Sequence, residues 1–125
     1  TVDAAGFDFH SVEDMSIEKG QTVLVKTGLA VALPRGFELQ VRPRSGLSLK
    51  TGLRVANSPG TVDADYRGEI CVILSNTSDI FYSIKKGDRI AQGVICPIYQ
   101  ANFVEVEELN ETERGTGAFG STGKA

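Results

Sequence analysis

The chain has 125 residues, 41% of them hydrophobic and 23% charged, and its net charge is −3. These values describe one globular domain that buries a core without disulfide staples. They exclude a basic surface that coats nucleic acid, and no apolar run reaches the length of a membrane span.

A few well-aimed arginines still suffice for one small anionic ligand. The two cysteines, Cys71 and Cys96, sit inside apolar runs and read as buried free thiols, which fits a reducing, cytoplasmic setting. His10 is the single histidine. No second soft ligand stands at zinc spacing from it, and no nucleophile motif flanks it. No signal-peptide pattern opens the chain, and the first residue is Thr1 rather than Met, so Thr1 need not be the native N-terminus.

Helical periodicity is almost absent. Short apolar runs separated by Gly, Pro, Asn and Asp predict strands at residues 22–33, 37–42, 69–76, 80–84, 89–98 and 103–107. One helical turn is predicted at Ser45–Lys50, with Ser45 as its N-cap. Turn signals fall at residues 18–20, 34–36, 57–60 and 85–88. The pattern predicts an all-β jelly roll or distorted barrel with at most one short helix. Residues 1–112 would form this domain. Residues 113–125 carry four glycines and one aromatic side chain, Phe119, and read as a mobile tail that only a ligand would order.

Two nucleotide-binding patterns are decoys. Residues 115–120 match GxGxxG, but no helix has room to follow and no acidic residue stands about twenty positions on. Gly123-Lys124 imitates the end of a phosphate loop, yet Ala118 and Ala125 occupy positions that need Gly and Ser or Thr. Exposed glycine-rich backbone remains a good anion donor.

Five polar segments interrupt the apolar runs at turns. They are Ala5-Gly6-Phe7-Asp8; Pro43-Arg44-Ser45-Gly46-Leu47-Ser48; residues 60–68, Gly-Thr-Val-Asp-Ala-Asp-Tyr-Arg-Gly; Gly87-Asp88-Arg89-Ile90-Ala91-Gln92; and residues 114–123. In order and spacing they resemble the five motifs of the homotrimeric dUTPase family, whose fold is a β-clip, and the likeness runs from Ala5 to Gly123. Two features depart from that family. The stretch before the first motif is short, and residues 56–60 keep the family's asparagine, Asn57, but vary around it.

The resemblance implies hydrolysis of dUTP to dUMP and pyrophosphate, which supplies dUMP for thymidylate synthesis and keeps uracil out of DNA. It implies that Asp63 holds the attacking water as general base. Arg44, Ser45, Gly46 and Gln92 would hold phosphate oxygens, by a guanidinium fork and donors at a helix start. Arg89 reads equally well as structural or as a direct contact.

Asp8 would hold Mg²⁺ through water, since that ion keeps much of its hydration and rides on phosphates. Asn57, with the backbone at Gly60 and Val62, would read uracil, and Tyr66 would pack on the deoxyribose. Phe119 would stack on the base, while Arg114, Gly120, Ser121 and Thr122 close over the phosphates as a lid. Thirteen extended residues reach roughly 40 Å, enough to meet another subunit. The resemblance implies a homotrimer with shared sites, acting on dUTP, with neither nucleic acid nor membrane as a partner.

Two other readings compete. A dCTP deaminase shares the fold, but such sequences usually read Asp-Pro-Gly where this chain has Asp63-Ala64-Asp65. A trimeric binding module for a regulatory protein would be marked by a missing base or lid, and this sequence has both.

Overall fold

A computed structural model describes residues 1–124. Its strands are β1 (Phe7–His10), β2 (Met15–Ile17), β3 (Thr22–Leu29), β4 (Phe37–Arg42), β5 (Leu53–Val55), β6 (Gly60–Val62), β7 (Ile70–Asn76), β8 (Tyr82–Ile84) and β9 (Arg89–Pro97). One helix, α1 (Ser45–Lys50), follows β4. The strands form a four-stranded sheet ordered β1-β9-β4-β6, a three-stranded sheet ordered β3-β7-β5, and the pair β2-β8. Every pairing is antiparallel, as the expected all-β jelly roll requires.

Period-two alternation puts one face of each strand in the core. On β7, Ile70, Val72, Leu74 and Asn76 are buried, while Cys71, Ile73 and Ser75 point the other way and are half-buried. Leu39 and Val41 of β4 meet Phe9, Ile90 and Ala91 in the same cluster. Asn76 is the polar exception, and its amide is fully used. Nδ2 donates to the carbonyls of Ile17 (2.9 Å) and Ile80 (2.8 Å), and Oδ1 accepts from the Ser78 amide (3.0 Å) and hydroxyl (2.7 Å).

Three expectations are corrected. Arg44, with extended backbone, is the N-cap of α1, and no side chain caps the helix. The helix keeps the expected bounds, but the Ser48 amide donates to the Arg44 carbonyl at 3.1 Å, which makes Arg44 the cap and Ser45 the first helical residue. The strand expected over 22–33 ends at Leu29. Residues 103–107 are not a strand. They keep strand-like alternation, but no sheet edge of their own chain takes them up, and Phe103 and Val104 stay 93% and 72% exposed.

Candidate active site

Asp63 follows β6 directly and opens a tight turn whose Tyr66 amide donates to the Asp63 carbonyl at 3.1 Å. Both side chains are exposed. They share the rim of a cleft of about 300 Å³ with Thr61, Val62, Glu69 and Cys71, its apolar wall made by Leu24, Ile70 and Ile73. The Tyr66 ring lies against Gly68, where a side chain would collide with the phenol, and its hydroxyl donates to the Glu69 carbonyl at 2.8 Å. An exposed tyrosine tied at its tip and at its own amide presents a fixed flat face.

Asn57 and Gly60 lie just upstream on the same segment. A Cβ on Gly60 would sit 3.4 Å from Asn57 Nδ2 and 3.1 Å from Val41 Cβ. The residues expected to read the nucleoside (Asn57, Gly60, Val62, Tyr66) and the expected base, Asp63, therefore share one strand and its turn.

The residues expected to hold phosphate and metal gather elsewhere. Arg44 Nε donates to Asp8 Oδ1 at 3.0 Å, and Arg89 Nε lies 3.6 Å from Asp8 Oδ2. Asp8 faces Gln92 across the β1–β9 ladder, and Arg42 faces Gln92 across β4–β9. Gln92 Nε2 donates to the Pro43 carbonyl at 3.0 Å, which steadies the turn into Arg44; a carboxamide nitrogen has a second N–H to offer. Gly6 packs close beside it, since a Cβ there would come 2.8 Å from Gln92 Oε1 and 3.1 Å from the Gly93 carbonyl oxygen and would displace the carboxamide. The amides of Ser45 and Gly46, in the first turn of α1, have no intrahelical acceptor.

These two groups occupy opposite ends of β4. Leu39 pairs with Val62, so the antiparallel register carries Asp63 to the level of Glu38, near the start of β4, whereas Arg44 lies beyond its end. Six residue steps, from the level of Glu38 to Arg44, at about 3.3 Å each separate them by roughly 20 Å along the strand. No single triphosphate α-phosphorus meets Asp63 and Arg44 of the same chain.

Residues 113–124 form successive turns. Arg114 Nε donates to the Gly117 carbonyl at 2.8 Å, and the Ser121 amide donates to the Ala118 carbonyl at 3.1 Å. Phe119 has a positive φ of 53° and a fully exposed ring. Arg114, Phe119, Gly120, Ser121 and Thr122 line neither group's cleft in this chain, and the hydrogen bonds of the described tail residues run among themselves and to Thr112.

Sequence reasoning missed Glu69 and Cys71 as cleft residues. The signal was the alternation of β7, which turns Cys71 away from the core. Burial, then the Glu69 carboxylate, pushes the Cys71 thiol up, against a smaller opposing effect of Lys26.

The family model described as dUTPase matches residues 1–123. The deoxyuridine 5'-triphosphate nucleotidohydrolase of Nautilia profundicola is 58% identical over 124 residues, covering 99% of this chain and 87% of that protein. The Staphylococcus bacteriophage 80alpha dUTPase with dUPNHPP superposes with a TM-score of 0.92 at 32% identity, covering 99% of this chain and 89% of the other. A dUTPase variant from phage phi11 of S. aureus, described as revealing the coordination of a structural Mg(II) ion, gives a TM-score of 0.77 at 30% identity over 84% of each chain.

Proposed function

This chain belongs to the dUTPase family, and from that premise we propose how it hydrolyses dUTP to dUMP and pyrophosphate. Asp63 accepts a proton from a water as its oxygen attacks the α-phosphorus, and pyrophosphate leaves. The observation that carries this reading is Asp63 standing with Tyr66 at the rim of one small, largely apolar cleft. A nucleoside seated there brings its 5′ side to the carboxylate. Positioned base catalysis contributes about 10²–10⁴-fold.

Asn57 and the backbone at Gly60 and Val62 read the uracil edge. The tethered Tyr66 face packs on the sugar and leaves no room for a 2′-hydroxyl. Arg44, the amides of Ser45 and Gly46, and Gln92 bind phosphate oxygens. The tail supplies Phe119 to stack on the base, with Arg114, Gly120, Ser121 and Thr122 over the phosphates. Ordering the tail on substrate would exclude water from the reaction.

The protein works as a homotrimer with each site built between chains. Two features support this. Asp63 and Arg44 stand at opposite ends of β4, so a neighbour must supply the phosphate-binding group. The segment after β9 also exposes the large apolar side chains Tyr99, Phe103, Val104 and Leu109 at 99%, 93%, 72% and 84%, surface that a neighbouring chain would cover. A closed ring satisfies both with one interface.

Mg²⁺ fits these residues in one form. Among the described residues no three His, Cys, Asp or Glu side chains converge to cage an ion, and both Asp8 oxygens face arginines. That donor set suits an ion carried on substrate phosphates with its hydration retained, reached by Asp8 through water. When bound, it would neutralise phosphate charge. Cys71 and Cys96 are free thiols, which supports a reducing, cytoplasmic compartment.

The test is a panel of dUTP, dCTP, dTTP and UTP with Mg²⁺, followed for pyrophosphate and ammonia. Pyrophosphate from dUTP alone is expected. Ammonia from dCTP would indicate the deaminase chemistry that shares this fold.

A further inference from the structure

The β3–β7 ladder runs in register from Thr22 opposite Ser75 to Lys26 opposite Cys71, then slips so that Leu29 faces Ile70. Thr27 and Gly28 are extra residues on β3, a bulge. Bulges commonly re-aim side chains beside functional sites. This one has a specific clamp. Thr27 Oγ1 donates to the Ile70 carbonyl and accepts from the Leu29 amide at 3.3 Å. Glu69 Oε2 accepts from the Gly28 amide at 2.9 Å.

Gly28 has a φ of +72°, and a Cβ there would lie 3.0 Å from Val12 Cγ1. The left-handed backbone therefore favours glycine here, and a side chain would also crowd Val12. Its amide has left the ladder, and the Glu69 carboxylate is the acceptor it finds.

We infer that Glu69 is a positioning residue that fixes the sugar-facing wall of the site and thereby sets discrimination against ribonucleotides. Four groups are linked in series. The Gly28 amide holds the Glu69 side chain, the Glu69 carbonyl holds the Tyr66 hydroxyl at 2.8 Å, and the Tyr66 amide holds the Asp63 carbonyl at 3.1 Å. Glu69 also lines the same cleft as Tyr66 and Asp63. The rigid β3–β7 pair is thus connected to an exposed turn that has little packing of its own.

Selection by shape needs a wall that does not yield, because a 2′-hydroxyl is small and a ring that tilts away admits it. Tyr66 is 45% exposed, so its tilt is governed by its tethers more than by core contacts. The inference rests on the reading of Tyr66 as the sugar wall.

The experiment compares kcat/KM for dUTP and UTP in the full chain, with oligomeric state and thermal unfolding recorded for each variant. Glu69→Ala is expected to lower the dUTP-to-UTP ratio by about tenfold or more, a loss of the size that shape selection supplies. Glu69→Gln, which keeps an oxygen acceptor for the Gly28 amide, is expected to hold the ratio within about threefold of the parent. Tyr66→Phe cuts the next link without touching the bulge and should reproduce the loss even where Glu69→Ala folds poorly. The inference is overturned if folded Glu69→Ala keeps the parental ratio, if Glu69→Gln loses it as fully as Ala, or if Tyr66→Phe leaves it unchanged. Tyr66→Ala separates the two layers. An unchanged ratio there removes the sugar-wall reading itself, whereas a lost ratio beside an intact one in Glu69→Ala removes only the role of Glu69.

Discussion

Arg44 and Asp8 are joined by a 3.0 Å ion pair, Nε to Oδ1, in which the two side chains remain 31% and 34% exposed. Such a pair contributes at most about 1 kcal/mol to stability; its effect is to hold the Arg44 guanidinium beside β1. Asp8→Asn should therefore shift Tm by less than about 3 °C. It should raise KM for dUTP about tenfold, one hydrogen-bonded charge's worth of binding, and raise the Mg²⁺ concentration for half-maximal rate. Steady-state kinetics at several Mg²⁺ concentrations checks this. A large Tm loss with unchanged KM would assign Asp8 to the fold.

Asp63 is exposed and holds only a backbone turn, so replacing its carboxylate perturbs little else. Asp63→Asn should lower kcat at least about a hundredfold, the usual share of a positioned base. Affinity for a non-hydrolysable dUTP analogue should stay within about tenfold, because amide and carboxylate are nearly isosteric. Calorimetric titration beside single-turnover rates reads both. A parallel loss of affinity would make Asp63 a binding group.

The tail hydrogen-bonds among its own described residues and to Thr112. Deleting residues 114–125 should leave Tm and the sedimenting species unchanged while kcat/KM falls by at least about a hundredfold, as expected when a lid that completes a site is lost. Phe119→Ala should weaken dUTP binding by about 1–3 kcal/mol, the worth of one stacked base. Unfolding of the truncated chain would instead make the tail structural.

What was legible in the sequence depended on how far each signal acts. Residues 37–42 alternate cleanly around Leu39 and Val41, and β4 has those bounds. The helix at 45–50 was equally readable, but serine's preference for caps pointed to Ser45 when the chain's hydrogen bonding makes Arg44 the cap. β1, β2, β5 and β6 have three or four residues each, too few for a period to declare itself. Residues 103–107 have a strand-like composition, but strands are made by pairing, and no strand of this chain's sheets pairs with them. Asp63 and Arg44 could be named from their motifs. Their separation could not, because it follows from Leu39 pairing with Val62, a register fixed by tertiary packing.

Cys71 lines the Asp63 cleft, and burial and Glu69 hold its proton more tightly than in the unfolded chain. A raised acid pKa means that its stabilising share is complete below the unfolded value and is lost as pH rises through the folded one. Stability should therefore decline on the alkaline side, and less so in Cys71→Ala, as followed by Tm between pH 8 and 11. The thiolate is the reactive form, so alkylation at pH 8 should run more slowly in the folded protein than in the unfolded chain. A nucleotide analogue should slow it further; equal folded and unfolded rates would contradict the assignment.

The most direct test concerns the two ends of β4. Asp63→Asn and Arg44→Ala, each inactive alone, should be unfolded together and refolded as a one-to-one mixture. If Asp63 of one chain acts on phosphates held by Arg44 of the next, random assembly of a closed ring restores about a quarter of the sites, and dUTP hydrolysis returns to about that fraction of the parent's. A mixture that forms mixed trimers yet stays as inactive as its components would place both residues in one chain's site and contradict the account.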